Sequence, residues 1–135
     1  MKKLLIIAAA ALLLIPAAGA QTVQKPSKKN LVVKEWNAAA KSGKKVLDHV
    51  TTYNSEGKKI EEIEYNSDGQ KWRKRFEYGE NGKCSKELNY DDRNRLTGYK
   101  TFEYAENGRK IVQYNYDAKG KLLTIKTFEY LVSDD

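Results

Sequence analysis

From Lys71 to Tyr78 the chain alternates residue by residue. Trp72, Lys74, Phe76 and Tyr78 fall on one parity, and Lys71, Arg73, Arg75 and Glu77 on the other. A period of two is the period of a β-strand, whose successive side chains leave opposite faces. The same pattern closes successive segments as an apolar-x-Tyr pair: Ile63/Tyr65, Phe76/Tyr78, Leu88/Tyr90, Phe102/Tyr104, Tyr114/Tyr116 and Phe128/Tyr130. The intervening residues are Glu64, Glu77, Asn89, Glu103, Asn115 and Glu129. The alternation predicts that these pairs share one aromatic and aliphatic face of a sheet. The other face is then charged, with Lys and Glu pairing between neighbouring strands.

Between the strands stand turn signals. A tyrosine followed four residues later by glycine recurs at intervals of 12 to 14 residues, from Tyr53…Gly57 to Tyr116…Gly120. In Asn54-Ser55-Glu56-Gly57 an Asx residue opens a type I turn, and glycine takes the positive-φ position of a three-residue hairpin loop. Residues 66–69 and 117–120 repeat this chemistry, while 79–82 and 105–108 keep only the glycine. Residues 91–94 place asparagine where the others have glycine, and asparagine is a residue that tolerates the left-handed region. Lys41-Ser42-Gly43-Lys44 reads as one more turn upstream.

A longer period overlays the first. Phe-Glu-Tyr recurs at 76–78, 102–104 and 128–130, a spacing of 26 residues, so the repeating unit is a pair of strands. With 8 to 10 residues between turns, each segment is one strand long. Leu31-Val32-Val33 reads as the start of a first strand, with a short helix over Trp36–Lys41 as the alternative. The expected fold is all-β: an antiparallel meander of about eight hairpin-linked strands. It is either a single-layer twisted sheet or a sheet curled toward a small barrel, since eight strands suffice to close one.

Tyr116-Asp-Ala-Lys-Gly-Lys-Leu-Leu resembles the YD repeat of the Rhs and teneurin families, and Tyr90-Asp-Asp-Arg-Asn-Arg-Leu is a weaker copy. The resemblance covers residues 53 to 130 and implies hairpin repetition. Those families wind long arrays into a shell, for which this chain is too short, and only Tyr90 and Tyr116 are followed by Asp. The chain also looks like small exported bacterial proteins built from one repeat-based sheet.

The N-terminus follows another grammar. Lys2 and Lys3, an apolar run from Leu4 to Ile15, and Ala18-Gly19-Ala20 have the order of a cleavable export signal over residues 1–20. The apolar run is shorter than a spanning helix requires, so no membrane span is expected after cleavage. Residues 21–30 are polar and read as a flexible leader, and 31–135 as the repeat-built domain. The expected destination is the periplasm or beyond.

The formal charge is +7, of which Lys2 and Lys3 supply two. The remaining cations alternate with Asp and Glu, whereas nucleic-acid binders segregate theirs into a patch, so no nucleic-acid partner is expected. Cys84 is the only cysteine and His49 the only histidine. One cysteine makes no internal disulfide, and one of each makes neither a metal set nor a catalytic triad. The glutamates lie within lysine-rich strands, where ion pairing accounts for them. No catalytic residue, cofactor or metal is therefore expected.

The aromatic face remains as the candidate site: Trp72, Phe76, Tyr78, Phe102, Tyr104, Tyr114 and Tyr116. Tyrosine and tryptophan combine a large apolar area with a polar tip, which suits protein and glycan recognition. The expectation is a non-catalytic binding module for an envelope protein or glycan. The alternative is a small-ligand carrier, with the same residues lining a closed barrel. A face left uncovered in one chain would also serve a homo-oligomer.

Overall fold

The computed structural model describes residues 24–133. The expected export signal and the first residues of the leader lie outside that span. Eight strands follow one another: β1 (Val32–Ala38), β2 (Lys45–Tyr53), β3 (Lys59–Asn66), β4 (Gly69–Tyr78), β5 (Cys84–Tyr90), β6 (Leu96–Tyr104), β7 (Lys110–Asp117) and β8 (Leu122–Thr127). They form one antiparallel sheet in sequence order. Each strand touches only its sequence neighbours. The segment Val32–Ala38 is strand, not helix. The sheet does not close: β1 and β8 are its two edges. The closed barrel that a ligand carrier requires is therefore not formed. Strands joined only by tight hairpins add one at a time, and no long connection returns the last to the first.

The turns form as their residues dictate. Gly43, Gly57, Gly82, Gly108 and Gly120 have φ between 67° and 87°, and Asn94 replaces glycine at 60°. The Asn54 side chain accepts from the N–H groups of Glu56 and Lys58, and Asp91 and Asp117 do the same in their turns. Where no Asx opens the turn, Asn81 and Asn107 accept from the N–H of Lys83 and Arg109 instead. One turn departs from expectation. Asn66 pairs directly with Gly69, so Ser67 and Asp68 form a two-residue loop and Gly69 begins β4. Gly98 has no turn to explain it. It lies inside β6, where a Cβ would meet the Tyr116 carbonyl oxygen at 2.6 Å.

The register shifts by one residue beside every hairpin tyrosine from Tyr53 to Tyr116. Each shift leaves one extra residue on the following strand, a β-bulge, which bends and twists the sheet locally. These shifts correct the expected faces. Phe76 pairs with Glu87, while Leu88 and Tyr90 pair with Arg75 and Arg73. Directly paired residues share a face. Phe76/Tyr78 and Phe102/Tyr104 consequently lie on one face, and Ile63/Tyr65, Leu88/Tyr90 and Tyr114/Tyr116 on the other. Alternation orders the residues within a strand. The phase between strands is fixed by turn and bulge, which the alternation does not record.

A single layer leaves no interior. Among the described residues no hydrophobic side chain is buried, and only Thr51, at 9% exposure, is buried at all. Large exposed apolar side chains gather at the edges, on β1 (Val32, Val33, Trp36) and β8 (Leu122, Leu123, Ile125).

Candidate functional site

The first face carries Trp72, Phe76, Tyr78, Phe102 and Tyr104 from β4 and β6. Lysines lie over these rings. Lys59 Nζ stands 4.9 Å from the Phe76 centroid, Lys74 5.1 Å from Trp72, Lys58 5.2 Å from Tyr78 and Lys110 4.0 Å from Phe102. An ammonium over a ring face contributes about 0.5–1 kcal/mol at an exposed site. The expected aromatic face is thus a lattice of rings and cations. Its signal was present in the sequence: Lys74 shares a parity with the aromatic residues on either side of it.

Acidic groups tie the lattice together. Glu62 accepts from Lys59 Nζ at 3.2 Å and lies 3.0 Å from His49 Nε2. Partial burial pushes the Glu62 carboxyl up, but Lys59 and His49 outweigh it and hold the pKa below the ordinary value. The His49 ring meets Trp72 edge-on at 5.8 Å. Lys74 reaches Glu87 at 3.5 Å.

The three tyrosines of the Phe-Glu-Tyr segments have a further task. Tyr78 donates its hydroxyl to the Lys59 carbonyl at 2.6 Å, Tyr104 to Cys84 at 2.7 Å, and Tyr130 to Lys110 at 2.7 Å. Lys59, Cys84 and Lys110 are the residues opposite Tyr53, Tyr78 and Tyr104, directly beside the bulges. Each 26-residue unit thereby ties its last tyrosine to the distorted backbone of the strand before it. Burial raises the pKa of Tyr78 and Tyr104.

The second face collects the other tyrosines. Tyr99 and Tyr116 stack at 4.7 Å with their planes 14° apart, and Lys86 lies over Tyr99 at 4.6 Å. Tyr114 donates to Glu103 at 3.0 Å, a bond that raises its pKa. Arg73 bridges Glu61 at 3.2 Å and the Tyr90 ring at 4.2 Å. Of the seven candidate residues, five are therefore brought together. Tyr114 and Tyr116 stand on the opposite side of the sheet.

The remaining chemistry is dispersed. His49 on β2 and Cys84 on β5 are three strands apart, about 14 Å at the usual strand spacing. The Cys84 thiol is half-buried, raised in pKa first by that burial, and 3.4 Å from the Lys86 carbonyl. No cluster of three metal-ligating side chains occurs among the described residues. An open groove of about 370 Å³ lies between the turn at 79–83 and the end of β6, lined by Glu80, Asn81, Lys83, Ser85, Phe102 and Tyr104. No helix among the described residues is long and apolar enough to cross a membrane.

Sequence reasoning missed the turn at the N-terminal edge. Lys29 N donates to Ser27 Oγ, Asn30 takes φ of 53°, and its N–H donates to the Asn54 carbonyl. Tyr53 N then donates to Leu31, and Lys28 lies over the Tyr53 ring at 5.4 Å. The end of the expected leader is thus docked against the sheet as one more turn. A serine opener with asparagine three residues later was the available signal. No family model, curated protein or solved structure matches this chain.

Proposed function

We propose that this chain is a non-catalytic interaction module, exported to the cell envelope, that binds a protein or glycan through the ring-and-cation face of β4 and β6. The observation that carries the reading is the lattice itself. Five aromatic rings, four of them under a lysine, stand on one uncovered face, and acidic side chains are interspersed among them. Such a surface offers ring faces and ammonium groups together, which suits sugar rings and acidic or aromatic peptide groups. His49 and Cys84 are each engaged by local partners, which supports a structural role for both. The likeness of the hairpin unit to YD repeats supports repetition as the building principle and names no partner.

The test is enrichment from an envelope fraction, followed by titration of the retained protein or polysaccharide. Phe76→Ser with Phe102→Ser removes two rings while leaving the tyrosine–carbonyl bonds in place. The double variant should bind at least about tenfold more weakly, the equivalent of 1.4 kcal/mol. Equal affinity with an unchanged circular dichroism spectrum sinks the reading.

A further inference from the structure

The two edges of the sheet fit each other. In β4, Phe76, Glu77 and Tyr78 pair only with the following strand, since pairing with β3 stops at Arg75. In β6, Phe102, Glu103 and Tyr104 likewise pair only with β7. The third copy, Phe128-Glu129-Tyr130, has no following strand among the described residues. It is nevertheless set in place. Phe128 N donates to Ile111, the Tyr130 hydroxyl to Lys110, and Arg109 lies over the Tyr130 ring at 5.0 Å. Beyond it Leu131 is 92% exposed.

At the other edge β1 lacks a preceding strand. Its place in the repeat follows from register. Lys34 pairs with Val50, three residues before Tyr53, and Lys86 pairs with Thr101, three residues before Tyr104, so Lys34 is the counterpart of Lys86. Val32 is therefore the counterpart of Cys84. Val32-Val33-Lys34-Glu35-Trp36 aligns with Cys84-Ser85-Lys86-Glu87-Leu88. The β4–β5 junction pairs Tyr78 with Cys84, Glu77 with Lys86 and Phe76 with Glu87. Transferred to the edges, that register sets Tyr130 against Val32, Glu129 against Lys34 and Phe128 against Glu35 of another copy. The side chains match the internal junction: Phe against Glu, and Glu against Lys.

We propose that β8 with Phe128–Tyr130 receives β1 of a second copy of this chain, extending the sheet head to tail. The occupant is chosen by this register. The joint repeats an existing junction at both the Glu–Lys and the Phe–Glu pairs, and the same register continues with Trp36 opposite Thr127 and Ala38 opposite Ile125. Because it joins two different edges, each added copy presents a fresh edge, and growth continues until the twist closes a ring or a filament forms.

The test is sedimentation velocity of the full chain over a concentration series, comparing wild type with Lys34→Glu, Glu129→Lys and the double variant. Either single change sets like charges opposite each other at the joint, while the double change restores an opposite pair. Wild type should form a concentration-dependent series of oligomers. Each single variant should require about fivefold more protein to assemble, on the scale of one cross-strand charge pair, and the double variant should return toward wild type. Circular dichroism confirms that each variant is folded. A wild-type monomer at every soluble concentration overturns the proposal. So does a dimer that grows no further, or a double variant as impaired as the singles.

Discussion

The tyrosines of this chain divide into two kinds by what their hydroxyl groups do. Tyr78, Tyr104 and Tyr130 each hold a carbonyl beside a bulge, where the regular ladder is interrupted. A half-buried carbonyl without a donor loses stability, so the phenol compensates for the distortion that the turn imposes. Tyr104→Phe should lower the unfolding free energy by about 1 kcal/mol in chemical denaturation. A pH dependence follows. The pKa of Tyr104 is raised in the folded chain, so its contribution is complete below the unfolded value of about 10 and is lost as pH rises through the folded value. Wild type should therefore lose melting temperature above about pH 10, and Tyr104→Phe should lose less over the same window. These hydroxyl bonds were not legible in the sequence, although the 26-residue spacing of Phe-Glu-Tyr was. Most turn residues were legible, down to Asn94, because each answers to a local steric demand; the two-residue loop at 67–68 and the turn ending at Asn30 were not. Gly98 was not, because its reason is a carbonyl on another strand.

At the scale of elements, the eight strands and their order could be read from alternation and turn signals alone. The sorting of side chains to faces could not. Ile63/Tyr65 and Phe76/Tyr78 look identical in sequence, yet they occupy opposite sides because of a bulge at Lys71 and a two-residue loop at 67–68. The candidate site was divided for the same reason, with Tyr114 and Tyr116 facing away from the other five residues. Pairs of strands are the modular element, and each contacts only its neighbours. Removing residues 79–104 joins Tyr78 to Ala105 and reproduces the native Tyr104–Ala105 connection. That shortened chain should fold, with the same strand signature in circular dichroism per residue and a lower unfolding free energy, as nearest-neighbour repeats lose stability by the unit. A random-coil spectrum would show that the sheet needs all eight strands together.

For the whole molecule, a sheet with no buried hydrophobic residue among those described has to be held by its ladder, its ion pairs and its stacked rings. Those terms are densest in the middle, between β3 and β6, while every residue of β1 and β8 is exposed. Amide hydrogen exchange of the dilute monomer should be fastest in β1 and β8 and slowest in β4 and β5. Uniform protection across the sheet would contradict this distribution. Adding the second copy proposed above should slow exchange at the two outer strands and leave the centre unchanged.

The recurrence of Phe-Glu-Tyr every 26 residues has a consequence for heredity. In a globular domain an inserted pair of strands must find room against an existing interior. Here there is none to disturb, and the unit returns the backbone to the same direction, the same face and the same tyrosine tether. Slipped recombination between two Phe-Glu-Tyr segments keeps the reading frame and yields a sheet two strands longer or shorter. Loss of a single residue from the regular part of a strand, by contrast, slips the register and reverses the faces beyond it. One codon lost within a strand is therefore expected to disturb the sheet more than 26 lost between matching segments.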